Sequence, residues 1–283
     1  LPSLDKVINL LRKQGTMFSG AKGKRDDWAA SLNLKDCTKE KVDVVFHVGC
    51  LTSYDKDMWK LAQTTAKLLK EAGVDFGIAG DNETCCGGRA YQMGYKEDFL
   101  NQAKKIMDMI KKSGIKTIVT ACADGYQSFK VLYDKYNLKG DLEVLHISEY
   151  IAKLIKEGKL KPRKKVDMSV TYHDPCDLGR GARVFDEPRQ VIRSIPGVEF
   201  VELPKNRENC QCCGGGGNLE MIDAKLSSEI AKRKIEEVLS TGAEAVVTSC
   251  QQCVRTMMTY VRRNKVPLEV LDITQLIHRA LKH

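Results

Sequence analysis

The sequence predicts an α/β protein, built as a tandem duplication of two Rossmann-like units with parallel sheets and with cysteines at the sheet edges. Three observations support this. Short apolar, strand-like runs alternate with helical periods from residue 42 onward. The same order of runs recurs about 126 residues later. Cysteines follow three strand-like runs in each copy, and sites in parallel sheets lie beyond the carboxyl ends of the strands.

The first 40 residues form an N-terminal extension and connector. An amphipathic helix is predicted over roughly Leu4 to Lys13, and a segment rich in Gly, Lys and Asp follows and ends near Cys37. We expect this extension to pack on something other than a core of its own. The chain begins with Leu1 instead of Met, so we also expect it to be processed or part of a longer polypeptide.

The first repeat unit is predicted over residues 41–160. A strand ends just before Cys50, a second strand leads to the Cys85–Cys86 pair, and a third delivers Cys122. In chain order, the predicted elements are strand 42–48, helix 55–71, strand 73–76, helix 96–112, strand 115–119, helix 128–136, strand 142–145 and a helix from residue 148.

The second unit is predicted over residues 166–283, after a basic linker at 161–165. Its strand-like runs are 166–171, 197–200, 242–247 and 268–271. Its cysteines lie 126, 127 and 128 residues after their counterparts, so chance resemblance is implausible.

The cysteines form one complete and one incomplete set. The complete set is Cys176, Cys212, Cys213, Cys250 and Cys253. The incomplete set is Cys50, Cys85, Cys86 and Cys122, with Gly125 where a fifth cysteine is expected. Adjacent cysteines are poor disulfide partners but can ligate different irons, and glycines beside them let the backbone approach a cluster. Five thiols exceed the four that a zinc ion or a cubane cluster takes, whereas four satisfy either.

Composition favours metal ligation in a reducing compartment. The chain has 11 cysteines in 283 residues, an odd number, and long helical stretches unlike those of small secreted disulfide proteins. No apolar run of about 18 residues and no signal peptide is found, so we expect a cytoplasmic protein without a membrane span. The net charge of +9 is interpreted mainly as solvated lysines, and 6% aromatic residues do not indicate a nucleic-acid module.

The cysteine pattern resembles the CCG-domain (cysteine-rich domain) family. Each copy has a lone cysteine, then Cys-Cys-Gly, then Cys-x-x-Cys or its remnant, and His173-Asp174-Pro175-Cys176 is close to the family's usual wording. The resemblance covers residues 42–283. Members include the B and D subunits of heterodisulfide reductase and the iron-sulfur subunits of glycolate and lactate oxidation systems.

The resemblance implies a noncubane [4Fe-4S] cluster in the second unit, bound by all five thiols of the complete set. Such a cluster passes single electrons to or from a disulfide. The incomplete set is expected to hold a second iron-sulfur cluster, a zinc ion or only reduced structural thiols. Residues 16–30, with Arg25 and Trp28, resemble the segment that joins a ferredoxin domain to the first unit in longer D-type proteins. Such a domain would lie upstream or on another subunit.

Several neighbouring residues are further candidates. His173 could donate a proton to a leaving thiolate, whereas His47 is interpreted as a core or outer hydrogen-bonding residue. Arg180 and Arg183 could hold an anionic substrate or offset cluster charge. Cys210 and Cys37 lie outside the pattern, and we predict a structural role for the first and a free thiol for the second.

The favoured hypothesis is an oxidoreductase subunit of the heterodisulfide-reductase type in a multisubunit complex. Its expected partners are a ferredoxin-like protein, a flavoprotein or a membrane cytochrome, which could attach it to the inner face of the membrane, and a small-molecule or protein disulfide. One alternative is a quinone-linked electron-transfer subunit of a hydroxy-acid or acyl-CoA dehydrogenase system. Another is a zinc-stabilised scaffold without enzymatic activity.

Overall fold

The structure is a computed structural model that describes residues 2–18 and 21–281. Its internal contacts divide the chain into two units, Leu1–His146 and Ile147–His283. Each unit contains one sheet in which all strands run parallel, with helices between them. The predicted fold class, an α/β duplication of Rossmann-like units, is therefore confirmed.

The first unit has a five-stranded sheet in the order β1-β3-β2-β4-β5. Its strands are β1 Lys35–Asp36, β2 Val44–His47, β3 Phe76–Ile78, β4 Thr117–Thr120 and β5 Glu143–His146. Its helices are α1 Pro2–Gln14, α2 Cys50–Tyr54, α3 Trp59–Glu71, α4 Gly88–Gln92, α5 Lys96–Ser113, α6 Ala123–Gln127 and α7 Tyr133–Lys135.

The second unit has a four-stranded sheet in the order β7-β6-β8-β9. Its strands are β6 Met168–His173, β7 Val198–Val201, β8 Ala245–Thr248 and β9 Glu269–Asp272. Its helices are α8 Ile147–Lys156, α9 Asp186–Arg193, α10 Leu219–Ile222, α11 Ala224–Leu239, α12 Gln251–Asn264 and α13 Ile273–Arg279. Helix α8 packs on α9 and α13, which is why the contact-based second unit begins at Ile147 and not at residue 166.

The N-terminal extension belongs to the first unit. Helix α1 buries Val7, Ile8 and Leu11 and packs against α5. The connector then adds β1 to the sheet edge beside β3, a strand that the sequence pattern did not predict. Gly77 permits this pairing, because a Cβ there would lie 2.9 Å from the Lys35 carbonyl oxygen. The expectation that the extension packs on something other than its own core is met by the first unit itself.

The sheet order brings the cysteine-bearing strands together. In each unit the strand before the lone cysteine lies between the strands that precede the Cys-Cys pair and the third cysteine. The connection from the first strand to the second runs to one side, and the third strand lies on the other side. This reversal is the topological switch point at which ligand sites form in open parallel sheets. All three cysteine positions of a unit therefore meet at one edge.

Local boundaries differ from the predictions in two informative places. Helix α2 begins at Cys50, and α6 begins at Ala123 directly after Cys122 instead of at residue 128. Residues Ser128–Leu132 form a π-helical segment that continues α6 into α7. Polar residues close to the cysteines weaken the helical pattern there, which explains why sequence periodicity placed these starts too late. Among the described residues, no helix combines the length and apolarity that a bilayer crossing requires.

Candidate metal centre

The second unit gathers four of its five predicted thiols into one chain of sulfur contacts. Cys213 Sγ lies 3.2 Å from Cys253 Sγ, and both side chains are buried. Cys253 also hydrogen-bonds to Cys250, and Cys213 to Cys212. Cys212 is exposed to solvent, so the group reaches from the interior to the surface.

These sulfurs strongly influence one another's protonation. Hydrogen bonds from Cys212 and Cys253 hold the pKa of Cys213 well below its ordinary value, and the pKa values of its two partners rise correspondingly. Cys176 lies within the electrostatic reach of Cys250 and Cys213. Burial, the charge of Asp177 and these thiols raise the pKa of Cys176 to about 12. A site that accumulates thiolate charge in this way is suited to a metal cation.

The glycines after the cysteine pair shape the loop. The Gly214 amide donates to Cys212 Sγ at 3.3 Å, as expected for backbone approach to a ligand sulfur. Gly214 has φ +92°, and a Cβ there would lie 2.5 Å from the Ser227 carbonyl oxygen. A Cβ on Gly215 would lie 2.2 Å from Thr256 Oγ1, whereas a Cβ on Gly216 would meet no described residue within 4 Å. Two of the four glycines therefore allow the loop to pack tightly on α11 and α12.

His173 lies at the inner end of the sulfur group. One of its ring nitrogens, Cys213 Sγ and Cys253 Sγ all lie within 4.8 Å of one another. Its Nδ1 is also 3.4 Å from Cys210 Sγ, and Cys210 is in turn 3.7 Å from the Lys234 ammonium. Burial lowers the His173 pKa, but the charge and hydrogen bond of Cys210 outweigh this and raise it to about 10. The predicted functional histidine is thus in direct reach of the thiols.

A buried ion-pair network fixes the two loops that carry the first three thiols. Arg189 donates to both carboxylate oxygens of Asp174, at 2.7 and 2.9 Å, and to both of Glu202, also at 2.7 and 2.9 Å. Asp174 immediately precedes the Pro175–Cys176 turn and also accepts from the Arg207 amide at 2.8 Å. Arg189 is fully buried. It therefore links the end of β6 to the loop that leads to the cysteine pair.

Arg180 and Arg183 contact this loop as well. Arg180 Nη1 donates to the Cys210 carbonyl oxygen at 2.6 Å and to that of Glu208 at 3.3 Å. Arg183 forms an exposed ion pair with Glu208 at 2.7 Å. Both arginines support the loop in this structure, and the predicted binding of an anionic substrate stays a prediction.

The first unit brings together three of its four thiols. Cys85 hydrogen-bonds to both Cys50 and Cys86. Cys122 Sγ accepts from the Gly125 amide at 3.4 Å at the start of α6. A Cβ on Gly125 would lie 3.8 Å from Cys122 Sγ, an ordinary van der Waals contact, so the backbone could carry a fifth cysteine here.

An arginine from the N-terminal extension contacts the first set. Arg25 Nη2 donates to Cys50 Sγ at 3.2 Å, and its Nε donates to Glu83 at 3.0 Å. Glu83 also accepts from the amides of Val48 and Gly49, at 3.0 and 3.1 Å. A hydrogen bond from Cys85 and the charge of Arg25 outweigh burial and hold the Cys50 pKa well below its usual value.

The donor sets fit a thiolate-bound metal centre. Two thiolates on one tetrahedral ion at about 2.3 Å stand ~3.8 Å apart, a small adjustment from the 3.2 Å between Cys213 and Cys253. All 11 cysteines lie in the described part of the chain, and each is a free thiol. Cys37 is buried, and burial raises its pKa to about 12. Which thiols act as ligands stays a prediction.

Comparison with known proteins places these cysteines in a family. The profile described as CCG, cysteine-rich domain, matches residues 44–130 and 170–258, one match in each unit. The chain belongs to the cysteine-rich domain family. The two matches cover the lone cysteine, the Cys-Cys pair and the third cysteine of each unit, so both sets of thiols are family features.

Curated relatives are longer than this chain. The dihydromethanophenazine:CoB–CoM heterodisulfide reductase of Methanosarcina mazei contributes one polypeptide that is 36% identical over 249 residues, covering 86% of this chain and 60% of the relative. FadF of Bacillus subtilis, named as a probable iron-sulfur-binding oxidoreductase, is 31% identical over 287 residues, covering 98% and 40%. EtfAB:quinone oxidoreductase of Syntrophomonas wolfei is 30% identical over 260 residues, covering 89% and 36%. The chain thus spans 60% or less of the length of these three proteins.

Among solved structures, a hypothetical protein from Helicobacter pylori has a similar fold. It aligns with a TM-score of 0.65 at 10% identity, over 99% of this chain and 54% of that one. At this identity the likeness concerns the fold alone.

Sequence reasoning missed the charged residues that support the thiols. Glu83, Arg189 and Lys234 were not singled out, and Arg25 was noted only for its resemblance to a family segment. A signal was available for Glu83, because the repeat aligns it with Cys210, two residues before each cysteine pair. No comparable signal marks Arg189 and Lys234, because helix positions that face a loop cannot be inferred from periodicity alone.

Proposed function

We propose that this chain is an iron-sulfur oxidoreductase subunit whose second unit holds a noncubane [4Fe-4S] cluster on Cys176, Cys212, Cys213, Cys250 and Cys253. The observation that carries the proposal is the contiguous sulfur group at the switch point of the second sheet. Its membership in the cysteine-rich domain family supports it, as do relatives named as heterodisulfide reductase and iron-sulfur-binding oxidoreductase.

A bound cluster would supply single electrons to or from a disulfide, a reaction that needs two electrons in total. The chain's own residues would prepare the site. Cys212, the exposed thiol, marks where a disulfide from solvent would arrive. His173, buried and beside Cys213, can hold a proton for a departing thiolate, because a raised pKa keeps its imidazole protonated.

The first unit would hold a separate centre on its four thiols, either a second iron-sulfur cluster or a zinc ion. The buried guanidinium of Arg25 supports this, since a cation beside Cys50 favours the thiolate that a metal needs. Because its fifth position is Gly125, we assign disulfide chemistry to the second unit only.

Electron exchange requires partners, and we propose a ferredoxin-like protein, a flavoprotein or a membrane cytochrome in a cytoplasmic complex. A second candidate function follows from the relative named EtfAB:quinone oxidoreductase. In that case the chain would relay electrons between a dehydrogenase system and a quinone-linked partner without cleaving a disulfide. Addition of a disulfide substrate to the reduced protein separates the two, because only disulfide chemistry yields a new thiol-dependent EPR signal.

The test is iron and acid-labile sulfide analysis with EPR spectroscopy on anaerobically purified protein. We expect iron and sulfide in wild type and loss of the second-unit signal in Cys212→Ser. Cys37→Ser is the matched control, because it removes a buried thiol outside both sets and should leave the signal unchanged. Zinc without iron in the wild type, or an unaltered signal in Cys212→Ser, would refute the assignment.

A further inference from the structure

The duplication places different side chains at one equivalent position of the two units. His47 and His173 each lie three residues before the lone cysteine of their unit. Glu83 and Cys210 each lie two residues before the cysteine pair. Cys210 lies outside the family's cysteine pattern, but the repeat shows that it takes the position of a buried carboxylate.

In the first unit, the histidine and the carboxylate face each other. His47 Nε2 lies 3.7 Å from Glu83 Oε1, and their side chains are 3% and 4% exposed. Arg25 is the buried cation that completes this group, with Nε 3.0 Å from Glu83. Three residue types thus form one unit beneath the cysteines: an imidazole, an acceptor for it and a cation.

The second unit has the same arrangement with a thiol as the acceptor. Cys210 Sγ lies 3.4 Å from His173 Nδ1, and the Lys234 ammonium lies 3.7 Å from the same sulfur. Lys234 is fully buried, and Cys210 and His173 are 3% and 1% exposed. The cation comes from α11 in this unit and from the N-terminal extension in the other. The contact therefore recurs although the residues that build it differ.

We propose that Cys210 is a positioning residue that holds the His173 imidazole against Cys213, as Glu83 faces His47 in the first unit. The partner of one ring nitrogen sets the tautomer and orientation of the other, which is how outer residues act on metal sites. The proposal rests on the proposed function in one respect only: its consequence for a cluster. Hydrogen bonds to ligand sulfur raise a cluster's reduction potential, so a displaced His173 would lower it.

A purely structural thiol does not account for these contacts. An apolar pocket would suffice to bury a packing cysteine, and it would not place a fully buried ammonium and an imidazole against the sulfur. Lys234 is held in place by Glu237, with Nζ 2.5 Å from Oε2. The charged groups around Cys210 are therefore built into the fold.

The test compares three variants of the full chain, with the second-unit cluster followed by EPR-monitored redox titration. In Cys210→Val, which has no acceptor, we expect a lower midpoint potential at an unchanged iron-to-protein ratio. Cys210→Asp restores an acceptor of similar volume in the manner of Glu83, and we expect the potential to return toward wild type. Cys37→Ala controls for loss of a buried thiol and should not shift the potential. A wild-type potential in Cys210→Val would overturn the proposal.

A double-mutant cycle keeps the test decisive if Cys210→Asp folds poorly. If Cys210 acts through His173, then Cys210→Val combined with His173→Asn should shift the potential no further than His173→Asn alone. Additive shifts would show independent action and refute the positioning role.

A separate measurement distinguishes failure of this proposal from failure of the proposed function. If wild type proves to contain no iron, the imidazole signals of His173 are compared by NMR in the same variants. A change in Cys210→Val that is absent in Cys37→Ala supports the positioning role even then. Unchanged imidazole signals would refute it, whatever metal the protein holds.

Discussion

Arg25 and Cys50 are joined by a hydrogen bond of 3.2 Å from Nη2 to Sγ, although 25 residues separate them in the chain. The guanidinium is 4% exposed, and its other side is held by Glu83. The N-terminal extension thereby contributes a buried cation to the first thiol set. This contact gives the extension a chemical role in addition to its packing on the first unit.

Arg25→Met should weaken both the fold and the first thiol set. Loss of the guanidinium leaves Glu83 buried without its cation, which should cost about 3 kcal/mol in the free energy of unfolding. It should also raise the pKa of Cys50 and reduce metal retention by the first unit. Urea unfolding and metal analysis after dialysis measure the two effects. Arg12→Met, which removes a partly exposed ion pair with Asp98, is the control and should leave metal retention unchanged.

Gly125→Cys should complete the first thiol set. The site is helical, and a Cβ there meets Cys122 Cβ at 3.4 Å and Thr120 Oγ1 at 3.5 Å, so the backbone need not move. If the fifth thiol is what the first unit lacks for a cluster like that of the second, iron and sulfide per chain should rise. Gly125→Ala is the control for the added Cβ. Equal iron in both variants would show that the missing cysteine does not limit cluster binding.

Gly214→Ala should be far more damaging than Gly216→Ala. Gly214 combines φ +92° with a Cβ position 2.5 Å from a backbone oxygen, so alanine is strained and collides with α11. We expect a loss of about 2–3 kcal/mol in stability and loss of the second-unit EPR signal. Gly216 has open space among the described residues and an ordinary φ, and its alanine variant should stay within about 0.5 kcal/mol of wild type. Equal effects of the two substitutions would contradict the packing explanation.

Asp272 should make stability depend on pH between about 4 and 6. Burial raises its pKa from 3.8 to about 6, against hydrogen bonds from Thr274. Because the folded state binds the proton more tightly, this carboxyl's contribution is fully present below pH 3.8 and is lost as pH rises through about 6. Over that range, wild type should lose about 3 kcal/mol relative to Asp272→Asn.

Urea unfolding at a series of pH values measures this difference. Asp167→Asn is the matched control, since Asp167 has a 72% exposed side chain and its variant should follow the wild-type curve. Parallel curves for wild type and Asp272→Asn would contradict the buried-carboxyl explanation.

Much of the fold could be predicted because it follows from local patterns. Val44–His47 and Ala245–Thr248 are apolar runs bounded by a change to helical periodicity, and both are strands. Strand β1 could not be predicted in this way, because two polar residues become a strand only through their pairing with β3. The start of α6 was missed for a related reason: Cys122 caps it by accepting from the Gly125 amide.

By itself, the sequence determined the duplication, the α/β class and the positions of both thiol sets, because strand periodicity and repeat offsets are properties of the chain alone. Only the tertiary structure decided which charged residues meet those thiols. Arg25, Arg189 and Lys234 act across 13 to 58 residues of sequence, through contacts that depend on strand order and helix packing. Burial then gives those contacts their strength, because a charge removed from water must find a partner. The equivalence of Glu83 and Cys210 was present in the repeat, but its meaning required the histidines that face them.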